Sequence, residues 1–182
     1  MQLETPRLYL REYTAEDWPA VLAYQSDPRY LRYYEWEKRS PRDVRAFLKK
    51  LIEWQTARPR IKFQFAVMLR AEDRLIGSCG IRRQTLDAVE ADIGYEIAPD
   101  LWGQGLATEA ARALLAFGFD DLNVHRIWAR CVAGNAASAR VMEKVGMQYE
   151  GRMRENEWFK GRWWDTLIYG ILEQEWRVIG NE

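Results

Sequence analysis

The sequence predicts an α/β protein: a mixed, mostly antiparallel sheet of seven strands with helices on both faces, in the order β-α-α-β-β-β-α-β-α-β-β. Three observations carry this. The apolar residues switch from helical to alternating period near residue 60. The strands that follow are joined by short polar turns, as in an antiparallel meander. In the second half, two segments of helical period each lead into another strand, with cap residues at their ends.

The first strand centres on Leu8 and Leu10, which alternate with Arg7, Tyr9 and Arg11. Thr14-Ala15-Glu16-Asp17 starts a helix, with a hydroxyl at the N-cap and acidic residues in the first turn. Asp27-Pro28 stops it, because a residue before proline avoids helical geometry. Ser40-Pro41 reads as an N-cap with proline at the first helical position, and Ala46, Phe47, Leu51 and Trp54 follow at helical spacing up to Arg58-Pro59. Phe63, Phe65, Val67 and Leu69 then alternate as a strand; a turn at 71–74, a strand over 75–81 and a third strand from Val89 to Ile97 complete the meander.

A helix from Gly105 to Asp120 carries Leu106, Ala110, Ala113, Leu114 and Phe117 on one stripe. Val124 to Val132 is a strand. A helix starts at Asn135, presents Val141, Met142 and Val145, and ends at Gly146; Asn at the N-cap and Gly past the C-terminus are its boundary signals. Strands over 147–155 and 164–172 follow. No repeat, low-complexity tract or linker interrupts the 182 residues, so 1–182 reads as one domain.

Composition narrows the function. Lys and Arg number 27, as do Asp and Glu, so the formal charge is zero and the footprint of a general nucleic-acid binder is missing. Cys79 and Cys131 sit far apart in apolar, strand-like contexts and read as buried reduced thiols. With His125 the only histidine and no CxxC pair, no metal site is expected. The N-terminus lacks a basic then apolar leader, and no apolar run approaches a membrane span. A cytoplasmic setting is expected.

One segment carries chemistry of its own. A strand ends at Ile97-Ala98-Pro99, a turn punctuated by Gly103-Gln104-Gly105 follows, and a helix begins at once. Successive N–H groups in such a turn face one concavity, and the helix start adds unpaired N–H groups and a positive dipole end. That combination holds a phosphate or pyrophosphate. Glycine allows close approach, Ala107 keeps the space small, and the Thr108 hydroxyl adds a donor. No Gly-Lys-Ser/Thr follows and the third glycine of a dinucleotide fingerprint is missing. Alone, the two glycines are equally a plain strand-to-helix turn.

Trp102-Gly103-Gln104-Gly105-Leu106-Ala107-Thr108-Glu109-Ala110 resembles the acetyl-CoA pyrophosphate loop of the GNAT acetyltransferase superfamily, and is most similar to its ribosomal-protein N-acetyltransferase (RimJ/RimL-type) branch. The resemblance spans nearly the whole chain. It includes the opening Leu3-Glu4-Thr5-Pro6-Arg7-Leu8, the central Ile93-Gly94-Tyr95-Glu96-Ile97, the Asn135-Ala136-Ala137-Ser138 helix start, and the closing Glu150-Gly151-Arg152 and Trp163-Trp164-Asp165 stretches.

The resemblance implies a GNAT fold, acetyl-CoA as co-substrate without a metal, and transfer of acetyl to a primary amine. The cradle falls on Trp102, Gly103, Gln104, Gly105, Leu106 and Ala107; Trp102 departs from the superfamily's Gln/Arg, although an aromatic there is usual in this branch. The backbone at Ile97 and Ala98 would pair with the pantetheine arm. Asn135 would hold pantetheine or an ordered water besides capping its helix. A tyrosine that protonates the leaving thiolate in many relatives falls here on Met142, so Ser138 is the candidate acid; it is otherwise a small packing residue.

Asp92 is the first candidate base, with Glu96 beside it. Glu90, Asp92 and Glu96 share a strand face by alternation and form either an acidic substrate lip or a solvated polar face. Tyr30-Leu31-Arg32-Tyr33-Tyr34-Glu35-Trp36 borders the acceptor cleft or caps the core; with the acidic groups it would suit a cationic peptide end. Trp158, Trp163 and Trp164 extend the cleft or form a dimer surface, so monomer and homodimer both stand. The expected acceptor is a protein N-terminus, such as that of a ribosomal protein. The alternatives are a small amine, or a binding module that has lost catalysis. Neither nucleic acid nor membrane is an expected partner.

Overall fold

The computed structural model describes residues 1–179. Strand β1 (Gln2–Glu4) and β2 (Leu8–Arg11) open the chain. A 3-10 turn capped by a Thr14/Asp17 box leads into α1 (Trp18–Gln25). The short α2 (Pro28–Leu31), α3 (Pro41–Thr56), β3 (Lys62–Leu69), β4 (Arg74–Arg82) and β5 (Glu90–Ile97) follow. Then come α4 (Leu106–Ala116), β6 (Arg126–Val132), α5 (Ala136–Lys144), β7 (Gln148–Phe159), β8 (Arg162–Leu172) and α6 (Glu173–Ile179).

The strands form one sheet in the order β1-β2-β3-β4-β5-β6-β8-β7. All neighbours are antiparallel except β5 and β6. Each face carries its own core. On one, α4 and α5 bury Leu106, Leu114, Leu115 and Met142 against Phe65, Ile81 and Ile127. On the other, α1 and α3 bury Val21, Val44, Leu48 and Leu51 against Ala66, Met68 and Leu75. Alternation along β3 and β4 supplies both: Phe65 and Ile81 face one core, Ala66, Met68 and Leu75 the other.

The sheet has eight strands, not seven. The extra one, β1, is three largely exposed residues, too short for any period to show. Asp27-Pro28 stops one helix and starts another: the Asp27 carboxylate accepts the Arg29 N–H at 2.8 Å, and proline occupies the first helical position. The helix expected to reach Asp120 leaves α geometry at Phe117, and residues Phe117–Asp121 form a π-turn. The β7–β8 hairpin is longer than expected because Lys160 and Gly161, both at positive φ (53° and 72°), close a tight two-residue turn. The sequence reading also missed α6, whose Trp176 stacks on Phe119.

Candidate active site

β5 and β6 pair only over 90–92 and 126–128. Beyond that point each strand follows its other neighbour: β5 stays on β4 as far as Gly77 opposite Ile97, and β6 stays on β8 as far as Val132 opposite Thr166. The sheet therefore splits, and the inner edge of β5 over 93–97 faces a gap. Ala98 takes no part in that edge: its N–H donates to Ile76 at 2.7 Å and its carbonyl accepts Leu101 N–H at 3.0 Å. This corrects the expected pairing role for Ala98. By alternation the backbone groups of Ile97 point the other way, into the split. The Ile97 carbonyl accepts the Trp102 indole N–H at 2.7 Å, which leaves the Ile97 N–H as the open donor.

The α4 start lies at the wide end of the split. Gly103 and Gly105 have φ of +79° and +78°, the region where side chains are strained. A Cβ at Gly103 would meet nothing within 4 Å, and one at Gly105 only Arg7 Nη2 at 3.5 Å, so the outer side of the turn is open. The first intrahelical bond runs from Glu109 N–H to the Gly105 carbonyl at 3.0 Å. The N–H groups of Leu106, Ala107 and Thr108 thus lack helical acceptors, and Gly105 at the N-cap has no side chain to cap them. Leu106 contributes only this backbone group, its side chain being buried in the core. These residues fit a pyrophosphate: open concavity, free donors, positive helix end.

The turn is held from behind by a clamp the sequence reading missed. Arg7 Nη1 donates to the Gln104 carbonyl at 2.9 Å, and its Nε donates to Glu109 at 2.7 Å. Glu109 also accepts the Arg7 N–H at 2.8 Å and the Thr5 hydroxyl at 2.6 Å.

Across the split, Asn135 Oδ1 caps α5 by accepting the Ser138 N–H at 3.2 Å. Its Nδ2 has no partner among the described residues, so the cap leaves that donor open. The Tyr95 hydroxyl, reaching over from β5, donates to the Ser138 carbonyl at 2.9 Å and lies 3.2 Å from Ser138 Oγ. Tyr95 is a second missed residue. Burial raises its pKa, against a smaller opposing effect of Ser138, so it keeps its proton. Burial likewise pushes the neighbouring Cys131 thiol up to about 11. Met142 is fully buried in the core, packed among apolar side chains.

The β5 carboxylates form no free acidic lip. Glu90 accepts from Arg126 at 2.9 Å, and Asp92 from Arg82 Nε at 2.8 Å, at the closed end of the split. Asp92 is thus tied to a guanidinium away from the gap, which corrects its choice as base. Glu96 sits at the open end inside a ring of donors: Tyr24 at 2.6 Å, Tyr30 at 2.6 Å, Gln25 at 3.0 Å and Tyr34 at 3.2 Å. Burial first, then the Glu96 charge, raises the pKa of all three tyrosines, so each remains a donor.

The aromatic segment after α1 does border the gap. The Tyr33 hydroxyl bridges to the Gly134 carbonyl at 2.8 Å, and its ring meets Trp164 edge-on at 6.2 Å. Trp164 is buried, whereas Trp158 and Trp163 are exposed and pack on each other at 5.2 Å. Among the described residues no group of three His, Cys, Asp or Glu stands close enough to hold a metal ion, and no helix is long and apolar enough to cross a membrane.

A split sheet with an uncapped, glycine-led helix at its mouth defines a protein that holds a phosphorylated carrier and works beside a strand edge. The family comparison is specific: the model of the acetyltransferase (GNAT) domain matches residues 7–148, and the chain belongs to that family. It is 37% identical over 176 residues to the uncharacterized N-acetyltransferase YnaD of Bacillus subtilis (strain 168), covering 97% of this chain and 99% of that one. A crystal structure of a GNAT-family acetyltransferase from Bacillus anthracis superposes with a TM-score of 0.83 at 33% identity, over 96% and 99% of the two chains. RimL, a ribosomal L7/L12 α-N-protein acetyltransferase solved with coenzyme A, gives 0.83 at 19% identity, over 94% and 98%; this likeness is one of fold. The protein is an acetyl-CoA-dependent N-acetyltransferase.

Proposed function

We propose that the acceptor is the N-terminal α-amine of a protein, with ribosomal proteins as the first class to test. One observation carries this: every carboxylate on β5 is already engaged, Glu90 and Asp92 by arginines and Glu96 by four donors. A strand edge with no free carboxylate works best on an amine that is partly neutral at pH 7. Deprotonating a lysine, at pKa about 10.4, costs about 4–5 kcal/mol there; an α-amine at about 7.7–8.0 costs about 1–1.4 kcal/mol. RimL, which shares the fold, is named for an α-amine acceptor.

Acetyl-CoA supplies the activated carbonyl; the protein binds, orients and stabilises. The α4 start holds the pyrophosphate, and the strand edge at Ile97 aligns the pantetheine arm. The Ile97 N–H is the open donor available to a developing oxyanion. Ser138 Oγ, backed by Tyr95, donates to the departing thiolate, and the amine proton leaves to water at the mouth. Glu96 orders the tyrosine wall beside the amine. We place the enzyme in the cytoplasm with such acceptors.

The test is kcat/KM against pH with peptides and free amines. An α-amine acceptor gives a rise that levels near pH 8. A profile still climbing at pH 9–10, or turnover of a metabolite amine with no protein N-terminus changed between proteomes with and without the enzyme, overturns the assignment.

A further inference from the structure

A cavity of about 310 Å³ lies between the end of α1, the loop after α2 and the β7–β8 turn. Ser26, Leu31, Glu37, Lys38, Arg39 and Lys160 line it. Three cations thus face one carboxylate, in a chain whose formal charge is zero. Among the described residues none of the three forms an ion pair, whereas arginines elsewhere, such as Arg82, Arg126 and Arg152, are matched with carboxylates.

Two of the cations are held in place. The Lys160 ammonium donates to the Leu31 carbonyl at 2.6 Å, which pins it at the wall with its other protons free. Arg39 lies over the Trp36 ring at 4.7 Å and donates to Gln25 Oε1 at 3.1 Å. Gln25 in turn donates to Glu96 at 3.0 Å, and Tyr30, next to Leu31, donates to Glu96 at 2.6 Å. Arg39 and Leu31 of the cavity wall therefore adjoin the ring around Glu96, Arg39 through its bond to Gln25 and Leu31 through its neighbour Tyr30.

We propose that this cavity is an acceptor subsite for a carboxylate, carried close to the amine that is acetylated. The cations and the Ser26 hydroxyl supply donors that match a carboxylate and repel a lysine or arginine side chain. The acceptor is then an amine with an acidic neighbour: either an N-terminal peptide with Asp or Glu near its first residue, or an amine bearing its own free carboxylate. This reverses the cationic acceptor that the sequence suggested. It deepens the function above and rests on the acceptor entering on this side of the split.

The experiment compares acetyl-CoA turnover of Ala-Glu, Ala-Gln and Ala-Lys peptides of equal length, and of free glutamate against its diamide. Lys38→Glu is the main variant, because exposed Lys38 makes no hydrogen bond or ion pair among the described residues; Lys160→Met is the second. The wild type is expected to prefer the Glu peptide over the Gln peptide roughly tenfold in kcat/KM, and over the Lys peptide by more. Lys38→Glu should erase the Glu preference and raise turnover of the Lys peptide. Equal rates for all three peptides, or a uniform loss in the variants, overturn the subsite. If no peptide reacts but glutamate outpaces its diamide tenfold, the peptide assignment fails and the subsite stands. If nothing turns over, calorimetry with N-acetyl-Ala-Glu and N-acetyl-Ala-Gln on the CoA-loaded protein decides. Tighter binding of the acidic ligand, lost in Lys38→Glu, supports the subsite, and equal binding ends it.

Discussion

Helices α4 and α5 both begin at the split, and they begin in opposite ways. The α4 start is led by Gly105 at φ +78°, with no side chain over its first N–H groups. The α5 start is closed by its own Asn135, whose Oδ1 takes the Ser138 N–H at 3.2 Å. A glycine N-cap costs only about a few tenths of a kcal/mol against a capping side chain, yet it leaves the first N–H groups open, which suits a ligand that completes them. The capped start instead fixes a side chain: with its N–H held, Ser138 keeps its Oγ 3.2 Å from the Tyr95 hydroxyl. In the proposed mechanism one helix offers its backbone to the carrier, and the other offers a side chain to the reacting end.

The sharpest way to break this comparison is Gly103→Asp. A Cβ there meets nothing within 4 Å, and Asp tolerates the left-handed conformation better than most residues, so the fold should persist. A new negative charge near the pyrophosphate costs about 2–3 kcal/mol at an effective dielectric near 20, or roughly 30- to 150-fold in acetyl-CoA affinity. Calorimetry with an unchanged Tm checks it; unaltered affinity would show that the open start is not the carrier site. On the α5 side the effect should fall on rate instead. Ser138→Ala is expected to lower kcat roughly 10- to 100-fold with acetyl-CoA affinity held, and Tyr95→Phe to follow it by a smaller factor. Equal losses in affinity and rate would merge the two roles.

The α4 and α5 starts were legible in the sequence because their signals are local. Two glycines before a helix, or Asn three residues before Ser, sit within one turn of what they control. The clamp on α4 was not legible, because Arg7 and Glu109 are 102 positions apart and neither carries a pattern of its own. Glu96 shows the same limit from the other side. Alternation put Glu90, Asp92 and Glu96 on one face correctly, yet an exposed acidic lip did not follow. Sequence shows charges without their partners, and Arg82, Arg126 and three tyrosines from the α1–α2 region neutralise or enclose all three. Tyr95 lies inside the Ile93–Ile97 stretch, but nothing local in the sequence shows that its hydroxyl reaches Ser138.

A smaller effect separates cap from ligand contact at Asn135. Asn135→Asp keeps the oxygen that caps α5 and removes only Nδ2, whereas Asn135→Ala removes both. Loss of the cap costs about 1 kcal/mol, a Tm decrease of roughly 2–4 °C for a chain of this size. Thermal melts should therefore place Asp near the wild type and Ala below it, while both lose acetyl-CoA turnover. If Asp keeps full turnover, Asn135 is a cap alone.

The clamp behind α4 sharpens the comparison through pH. Burial pushes the Glu109 carboxyl upward, but bonds from Thr5, the Arg7 N–H and the Arg7 guanidinium outweigh it and hold the pKa below the ordinary 4.5. A native pKa below the unfolded one means the unfolded chain binds the extra proton first. The stabilisation is therefore complete above about pH 4.5 and is lost as pH falls through the native value. Glu109→Gln removes this dependence. Its Tm should lie below the wild type at pH 7, and the two melting curves should converge as pH drops under 4.5. Parallel curves would mean that Glu109 contributes no charge-dependent hold. Because the same bonds fix the Gln104 carbonyl through Arg7, acetyl-CoA affinity should weaken in Glu109→Gln by a factor of a few, far less than in Gly103→Asp. In the proposed mechanism the open start of α4 binds the carrier through its own N–H groups, so the clamp acts only by keeping them aimed.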